Sequence, residues 1–382
     1  MQVVVAHTVD PDPEHALAEL CRDLRAGAAD EPPVALMVFA CIEMDHQRLL
    51  DGLVEAFPGV PLIGCTTDGE VSADLGFQED SVCVTLFAGH DLRARAVVAR
   101  DLSKDIEAAL DVAERLTGPE GGPTLVFALP EGLSACGADV MVDGLNRRLP
   151  SGIPLVGGTA GDQWEFQGTR QFFGQEVLGD SMPLLGVYGD MRVSVGVSSG
   201  YAPIGTSGLV TSAQGPLVHS IDGLPATAFY RKVAGVTSGV NPENPLSVSV
   251  DGGPPFLRAP LRSDPETGAI QFAGDVPAGA TVFISEVGNG ELLDACQTSI
   301  QLAMDGLGGD EPHAAFIFSC AARKQLLGTR TAKEAELLSA ILPSDIVMSG
   351  FYTYGEIGPQ NGRIQADFHN QTFVAVLVGA PG

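Results

Sequence analysis

The sequence predicts an α/β fold with mixed α+β layers and mixed sheets, built from repeated strand–helix–strand–glycine-turn units. The main observation is an internal repeat, in which a short motif occurs as FPGVPLIGCTTDGE (57–70), LPSGIPLVGGTAGD (149–162) and LPSDIVMSGFYTYGE (342–356). The second observation is that an apolar run and a helical pattern precede every copy. Helices and strands that alternate in this way are typical of duplicated α/β layers.

Each unit begins with an apolar run that predicts a buried strand. The runs are Val34–Ala40, Thr124–Leu129 and Ala314–Cys320. Apolar residues at helical spacing follow, and a proline ends each predicted helix because it has no amide hydrogen to donate. The prolines are Pro58, Pro150 and Pro343. Thr331 and Glu334 have the spacing of a capping box and predict the start of the third helix.

Further elements lead into each unit. A strand at Gln2–Ala6 and a helix at Pro13–Ala26 precede the first unit, and helices at Leu102–Leu116 and Glu291–Asp305 precede the second and third. A β-rich segment broken by glycine and proline lies between the second and third units.

We place a domain boundary near His219, where a strand series ends and an Asp-Gly turn begins. The first domain, residues 1–218, then holds two units. The second domain, residues 219–382, holds the inserted β-rich segment and the third unit.

The composition excludes several classes of partner. The chain has 382 residues and a formal net charge of −27, so it is acidic and has no basic surface for nucleic acid or anionic membrane. We expect a cytoplasmic protein without membrane insertion, because no apolar run could span a bilayer and the first residues do not resemble an export signal. The seven cysteines include no C-x-x-C pair, so we expect reduced, mainly buried thiols and no metal site.

The glycine turn of each copy closes in an acid, at Glu70, Asp162 and Glu356. Glycine lets a ligand or another backbone come close, and loops at the carboxyl ends of buried strands are where open α/β sheets bind small molecules. We therefore predict that the three acid-tipped turns converge around something small and polar. The open alternative is that they are sharp turns whose acids face water or cap helices.

At these motifs the chain resembles the FIST family, whose members pair a FIST N and a FIST C domain. The resemblance rests on several motifs in order: IGCTTDGE (63–70) followed by SVCVTLF (81–87), GGTAGD (157–162), IDGLPA (221–226), FSCAARK (318–324), GFYTYGEIGP (350–359) and FHNQT (368–372). It implies a FIST N-like first domain and a FIST C-like second domain that bind a small ligand, with amino acids or their derivatives proposed. We expect the signal to pass to a separate partner, such as a histidine kinase.

A zwitterionic ligand needs a cation for its carboxylate and an anion for its ammonium. Arg323 is the candidate cation because its planar fork matches two carboxylate oxygens, although a structural ion pair is the open alternative. Glu70 and Glu356 are candidate anions, and Tyr352 and Tyr354 either wall a pocket or pack beneath the turn. The other candidate ligand contacts are Thr66, Thr67, Asp162, Cys320, Asn370 and Thr372.

Two further functions stay open beside the small-ligand sensor. A haem-binding gas sensor would use His369 as the ligand, since some family members are thought to hold haem, but a structural histidine is commoner. A thiol-dependent hydrolase would use Cys320 or Cys65, but a buried structural cysteine is commoner. No P-loop, H-E-x-x-H or G-x-S-x-G motif is present, so we expect a binding protein with no catalytic residue and no cofactor.

Overall fold

The computed structural model describes residues 1–119, 121–134, 136–235, 240–360 and 362–380. The helices are α1 (Pro13–Ala28), α2 (His46–Ala56), α3 (Ile106–Leu110), α4 (Ala138–Arg148), α5 (Ala226–Ala234), α6 (Asn289–Gly306), α7 (Ala321–Leu327) and α8 (Thr331–Ile341). The strands of the first two units are β1 (Gln2–Thr8), β2 (Pro33–Ala40), β3 (Leu62–Thr66), β4 (Glu70–Ser72), β5 (Gly76–Gln78), β6 (Val82–Ala88), β7 (Arg93–Arg100), β8 (Leu125–Ala128), β9 (Leu155–Gly158), β10 (Gln171–Phe173), β11 (Glu176–Leu178) and β12 (Ser181–Tyr188). The remaining strands are β13 (Arg192–Ser198), β14 (Ala202–Gln214), β15 (Leu217–Ile221), β16 (Leu224–Pro225), β17 (Leu246–Ser249), β18 (Phe256–Arg258), β19 (Pro260–Ser263), β20 (Ile270–Phe272), β21 (Thr281–Glu286), β22 (Pro312–Cys320), β23 (Val347–Thr353), β24 (Glu356–Pro359), β25 (Ala366–His369) and β26 (Phe373–Gly379).

The predicted mixed α/β fold is confirmed, and its three six-stranded sheets share one strand order. Sheet 1 is β1-β6-β2-β3-β10-β11, sheet 2 is β7-β12-β8-β9-β24-β25, and sheet 3 is β13-β26-β22-β23-β4-β5. The two central strands of each repeat, β2/β3, β8/β9 and β22/β23, are parallel and are joined through a helical connection. The other neighbours in these sheets are antiparallel. The sequence repeat is therefore a structural repeat of a whole sheet.

In each unit, the hairpin that follows the glycine turn pairs with a strand in the sheet of another unit. Hairpin β4–β5 of the first unit pairs with β23 in sheet 3, and β10–β11 of the second unit pairs with β3 in sheet 1. Hairpin β24–β25 of the third unit pairs with β9 in sheet 2, which closes the cycle. Every sheet therefore contains strands from two units.

The apolar residues separate into a shared centre and three outer layers. Inward-facing side chains of the sheets form the centre, where the rings of Phe127 and Phe316 lie 4.9 Å apart. Helices cover the outer faces: α1 and α2 on sheet 1, α3 and α4 on sheet 2, and α6 and α8 on sheet 3. Exchanged hairpins contribute Phe172, Phe368 and Val71 to these outer layers. None of the described helices combines the length and the apolar character needed to cross a membrane.

The inserted segment forms its own sheet, in the order β18-β17-β21-β14-β15-β20-β19, with β16 beside β15. Helix α5 packs against it and closes a separate apolar core. The predicted boundary at residues 218/219 falls within β15, which pairs with β14. The division into residues 1–218 and 219–382 stays a prediction.

Two local expectations were wrong. The helix predicted over Leu102–Leu116 is the short α3 followed by a 3-10 helix at Asp111–Leu116. The predicted capping box does not form, because Arg330 is the residue that precedes α8 and no side chain caps this helix. Glu334 instead points into the protein, where its carboxylate binds Arg323.

Each of the strands β3, β9 and β23 has a glycine at the same place in the repeat, where the backbone of the neighbouring strand comes too close for a side chain. A Cβ atom placed on any of the three would collide with a carbonyl oxygen of the neighbouring parallel strand. The pairs are Gly64 with Val38, Gly157 with Ala128, and Gly350 with Ile317. Close packing of the parallel strands therefore explains this one of the repeated glycines.

We predict that Gly350→Ala lowers the free energy of unfolding by about 2–3 kcal/mol, because the new methyl group would force β22 and β23 apart. Urea unfolding measures this loss. Gly290→Ala in α6 is the matched control, since its Cβ would meet open space and alanine favours helices. Equal unfolding midpoints for the two variants would contradict the steric explanation.

Candidate functional site

The three glycine turns meet at the centre of the molecule and bind one another directly. The amide of Gly161 donates to the carbonyl oxygen of Thr66 at 2.9 Å. The Asp68 amide donates to the carbonyl oxygen of Tyr352 at 3.0 Å. Thr159 donates to Gly355 at 2.9 Å in the same way. The turns do come together, but they interlock by backbone hydrogen bonds.

Glu70 and Glu356 are buried acids held by hydroxyl groups of the protein. Both carboxylate oxygens of Glu70 accept hydrogen bonds, from the hydroxyls of Thr67 and Ser81. Glu356 Oε2 accepts from the amide of Thr372 at 2.9 Å and from its hydroxyl at 2.6 Å, while Oε1 has no partner among the described residues. Burial raises the pKa of Glu70 to about 7 and the pKa of Glu356 to about 8.

The residue of the second unit that corresponds to these two acids is Gln171. Glu70, Gln171 and Glu356 are each the first residue of an exchanged hairpin, and each pairs with the residue after a repeat glycine: Phe351, Cys65 and Gly158 respectively. Gln171 also receives a hydrogen bond at 3.3 Å from Ser181, at the start of the following strand. The sequence repeat pointed to Asp162 here, and the structure places Asp162 in a longer connection before β10.

Hydrogen bonds to Asp162 hold residues 163–168, which lead to β10, in an unusual conformation. Its Oδ2 accepts from the amides of Gln167 and Gly168 at 2.8 and 3.1 Å, and its Oδ1 accepts from the Tyr354 hydroxyl at 2.6 Å. Trp164 adopts a φ of 66°, which non-glycine residues rarely do. The rings of Trp164 and Phe166 pack against Tyr354, with centroids 5.8 and 5.6 Å from its ring.

Arg323 forms the structural ion pair that the sequence left open as an alternative. Its Nη2 lies 2.7 Å from Glu334 Oε1 and also donates to the carbonyl oxygen of Leu292 at 2.9 Å. Both charged side chains are 0% exposed. The Tyr352 hydroxyl donates to Glu334 Oε2 at 2.6 Å, so Tyr352 belongs to the same buried cluster.

A cavity of about 280 Å³ lies where the second unit, the third unit and the inserted segment meet. The second unit supplies the loop after β8 and the start of α4, together with Trp164 and Phe166. The third unit supplies the end of β22 and the start of α7, and the insert supplies Ala259, Leu261 and Phe272. We call it the aromatic cavity, and most of its wall is apolar.

Three of the predicted site residues line the aromatic cavity: Cys320, Tyr354 and Asn370. The others do not appear in its described lining; they are Glu70, Thr66, Thr67, Asp162, Arg323, Tyr352, Glu356 and Thr372. Trp164 was missed, although a single tryptophan after a glycine turn is a signal in the sequence. The insert residues had no sequence signal, because their approach depends on tertiary structure.

Few polar groups of the aromatic cavity are free to bind a ligand. Asn370 Oδ1 accepts from the Ala259 amide at 3.3 Å, and Glu131 accepts from the Thr169 hydroxyl at 2.5 Å and the Asp180 amide at 3.0 Å. Burial raises the pKa of the Cys320 thiol, and the nearby Glu356 carboxyl raises it further. The thiol therefore stays protonated, which does not favour a nucleophile.

The residues suggested for the two other functions lie in unfavourable places. His369 Nε2 is 2.8 Å from the carbonyl oxygen of Gly358, and burial lowers its pKa to about 4. It does not appear in the described lining of the aromatic cavity, so it does not fit a haem there. Cys65 is fully buried and its pKa is raised by that burial. Within the described residues, no group of three metal-ligating side chains is arranged to hold an ion.

These features define a class: an α/β protein of interlocked repeats with an apolar cavity between its units. Models of two known domains match the chain, the FIST N domain over residues 34–224 and the FIST C domain over residues 226–359. The chain therefore belongs to the FIST family, whose domains are generally small-ligand-binding sensory domains of signalling proteins.

The chain is also similar to curated proteins of bacteria and archaea. The uncharacterized protein Rv0628c of Mycobacterium tuberculosis is 27% identical over 381 residues, covering 95% of this chain and 96% of that protein. The uncharacterized protein MJ1623 of Methanocaldococcus jannaschii is 27% identical over 206 residues, covering 51% of this chain and 39% of that protein. A solved structure of PurLQS from Thermotoga maritima aligns with 100% of this chain and 72% of its own, at 11% identity and a TM-score of 0.24, too weak a likeness to support any inference.

We predict that the pH dependence of stability is reduced in Glu356→Gln. The folded pKa of about 8 lies above the usual glutamate value of 4.5, so the stability that Glu356 contributes is fully present below about pH 4.5 and is lost as the pH rises from there to about 8. Glutamine cannot lose this proton, and Gln171 shows that an amide fits the equivalent position. Urea unfolding at about pH 5, 7 and 9 measures the slope of the free energy of unfolding against pH.

Glu336→Gln serves as the control for that slope, since Glu336 is 69% exposed. It should unfold with the wild-type pH dependence. A part of the slope should persist in Glu356→Gln because Glu70 keeps its raised pKa. An unchanged slope in Glu356→Gln would contradict the assignment of Glu356 as a buried, protonated acid.

We predict that Arg323→Met destabilises the protein by about 3–5 kcal/mol, because it leaves the buried Glu334 carboxylate without its partner. The double variant Arg323→Met/Glu334→Leu removes both charges, so its free energy of unfolding should be higher than that of Arg323→Met alone. Arg100→Met, which breaks an exposed pair with Glu176, should cost less than about 1 kcal/mol. Denaturant unfolding compares the three; a wild-type midpoint for Arg323→Met would refute the structural role.

Proposed function

We propose that this protein is a small-molecule-binding sensory protein that binds its ligand in the aromatic cavity. The observation that carries the proposal is the position of the cavity, at the junction of two repeat units and the inserted segment. Apolar, partly enclosed cavities with a few polar groups are the usual sites for small ligands. Membership of the FIST family supports the same function.

The lining favours a ligand with an apolar or aromatic body and few charged groups. The described lining includes no lysine, arginine or histidine, and its one carboxylate, Glu131, already accepts hydrogen bonds from the protein. Trp164, Phe166 and Tyr354 offer ring faces for stacking. Amino-acid derivatives stay among the proposed ligands, and the cavity suits those with a large apolar side chain better than a small free zwitterion.

The output of binding is proposed to pass to a separate protein, such as a histidine kinase. A ligand in the aromatic cavity would contact the insert and the repeat core together, so binding would favour one position of the insert over others. A partner that recognises the insert surface would then respond to the ligand. The cytoplasmic location stays a prediction.

We predict that Ala138→Phe abolishes ligand-induced thermal stabilisation. Ala138 is the first residue of α4 and lines the cavity, so a phenyl ring there would fill the space that the ligand needs. The measurement is a thermal-shift screen of apolar and aromatic metabolites, with N-acetylated and free aromatic amino acids included.

Ala138→Ser is the matched control and should keep the response of the wild type, because serine adds little volume. A hit that stabilises wild type, Ala138→Ser and Ala138→Phe equally would show that the ligand binds elsewhere. A screen in which no compound shifts the melting temperature of the wild-type protein would count against the sensory proposal as a whole.

A further inference from the structure

A second cavity lies on the other side of Trp164. It is an open cleft of about 580 Å³, lined by Glu43, Asp68, Glu79 and Glu165, with Lys324 beside them. Trp164 lines both this cleft and the aromatic cavity. We call it the acidic cleft.

Asp68 is the buried member of the acidic cleft, and its hydrogen bonding is incomplete. Its side chain is 0% exposed. Its Oδ2 accepts from the indole Nε1 of Trp164 at 3.1 Å and lies 3.4 Å from Lys324 Nζ. Its Oδ1 has no hydrogen-bond partner in the described part of the chain. Buried carboxylate oxygens normally have a partner, so this atom points to a donor supplied from outside.

The charges of the cleft favour a cation. Lys324 is the positive group among the described lining residues, and its ammonium group contacts two acidic residues. Its Nζ lies 2.8 Å from Glu79 Oε1 and donates to the backbone carbonyl oxygen of Asp68 at 2.5 Å. Glu43 and Glu165 are exposed and form no ion pair in the described structure. Four carboxylates against one ammonium leave a local excess of negative charge, which attracts cations and disfavours carboxylate-bearing ligands.

We infer that the acidic cleft is a second binding site, and that it takes a small organic cation with an ammonium or guanidinium group. Such a group would donate to Asp68 Oδ1, and its charge would be balanced by Glu43 and Glu165. The indole of Trp164 supplies an aromatic surface for the cation or for its alkyl chain. The site is distinct from the aromatic cavity and does not depend on the function proposed for that cavity.

The sole tryptophan of the chain makes the test direct, because Trp164 lies in the cleft wall and fluorescence reports on it alone. Full-length protein is titrated with 1,5-diaminopentane at constant ionic strength. We expect a saturable change in tryptophan emission. The neutral analogue 1,5-pentanediol should give no saturable change, because it cannot satisfy the carboxylates.

Glu43→Gln/Glu165→Gln should weaken diamine binding by about fivefold or more, since it removes two of the attracting charges. The matched control is Glu55→Gln/Glu176→Gln, which makes the same change of net charge at exposed positions outside the described cleft lining. Ala138→Phe should bind the diamine as the wild type does, so failure at the aromatic cavity can be told apart from failure here. The inference is overturned if the diamine gives no saturable signal, if the diol gives the same one, or if both double variants weaken binding equally.

Discussion

The cyclic exchange of hairpins is the constraint on which the rest of the structure depends. Each sheet would end in the unpaired edge of a parallel strand pair if another unit did not cover it, and exposed edges of this kind promote aggregation. The exchanged hairpins also place apolar side chains such as Phe172 and Phe368 in the outer layer of their host sheet. All three connections cross at the centre, where the turns that precede the hairpins bind one another through backbone groups.

The exchange also explains why an acid recurs after the turns. The first residue of every exchanged hairpin is buried beside a hydroxyl group that lies at, or one residue before, the start of the following strand. This hydroxyl group donates a hydrogen bond to Glu70, Gln171 or Glu356. A protonated carboxyl group and a carboxamide both offer one acceptor and a donor, so they are interchangeable in such a place. The raised pKa values of Glu70 and Glu356 favour the protonated form that makes a carboxyl group resemble a carboxamide. The architecture is therefore sufficient to explain the recurring acid.

The elements of the repeats could be predicted from the sequence because they depend on local patterns. Apolar runs, helical spacing and terminating prolines gave each strand–helix–strand unit close to its observed bounds. The hairpin exchange could not be predicted, since a three-residue strand carries no information about which sheet it joins. The same limit applies to Glu334, whose capping-box spacing was real but whose carboxylate is drawn to Arg323 by the tertiary fold. In the candidate site, Tyr354 followed from the repeat, and Cys320 and Asn370 followed from the FSCAARK and FHNQT motifs. Leu261 and Phe272 depend on how the insert folds back.

The aromatic cavity lies where the three-fold repetition is broken. The connection from β9 to β10 in the second unit is longer than its counterparts, which run from β3 to β4 and from β23 to β24, and it brings Trp164 and Phe166. The inserted sheet interrupts only the third unit, between β13 and α6, and it brings Leu261 and Phe272. Both additions cover the carboxyl ends of β8 and β22, so one of three similar positions becomes a partly enclosed cavity. A ligand there would touch the two additions on one side and the interlocked core on the other.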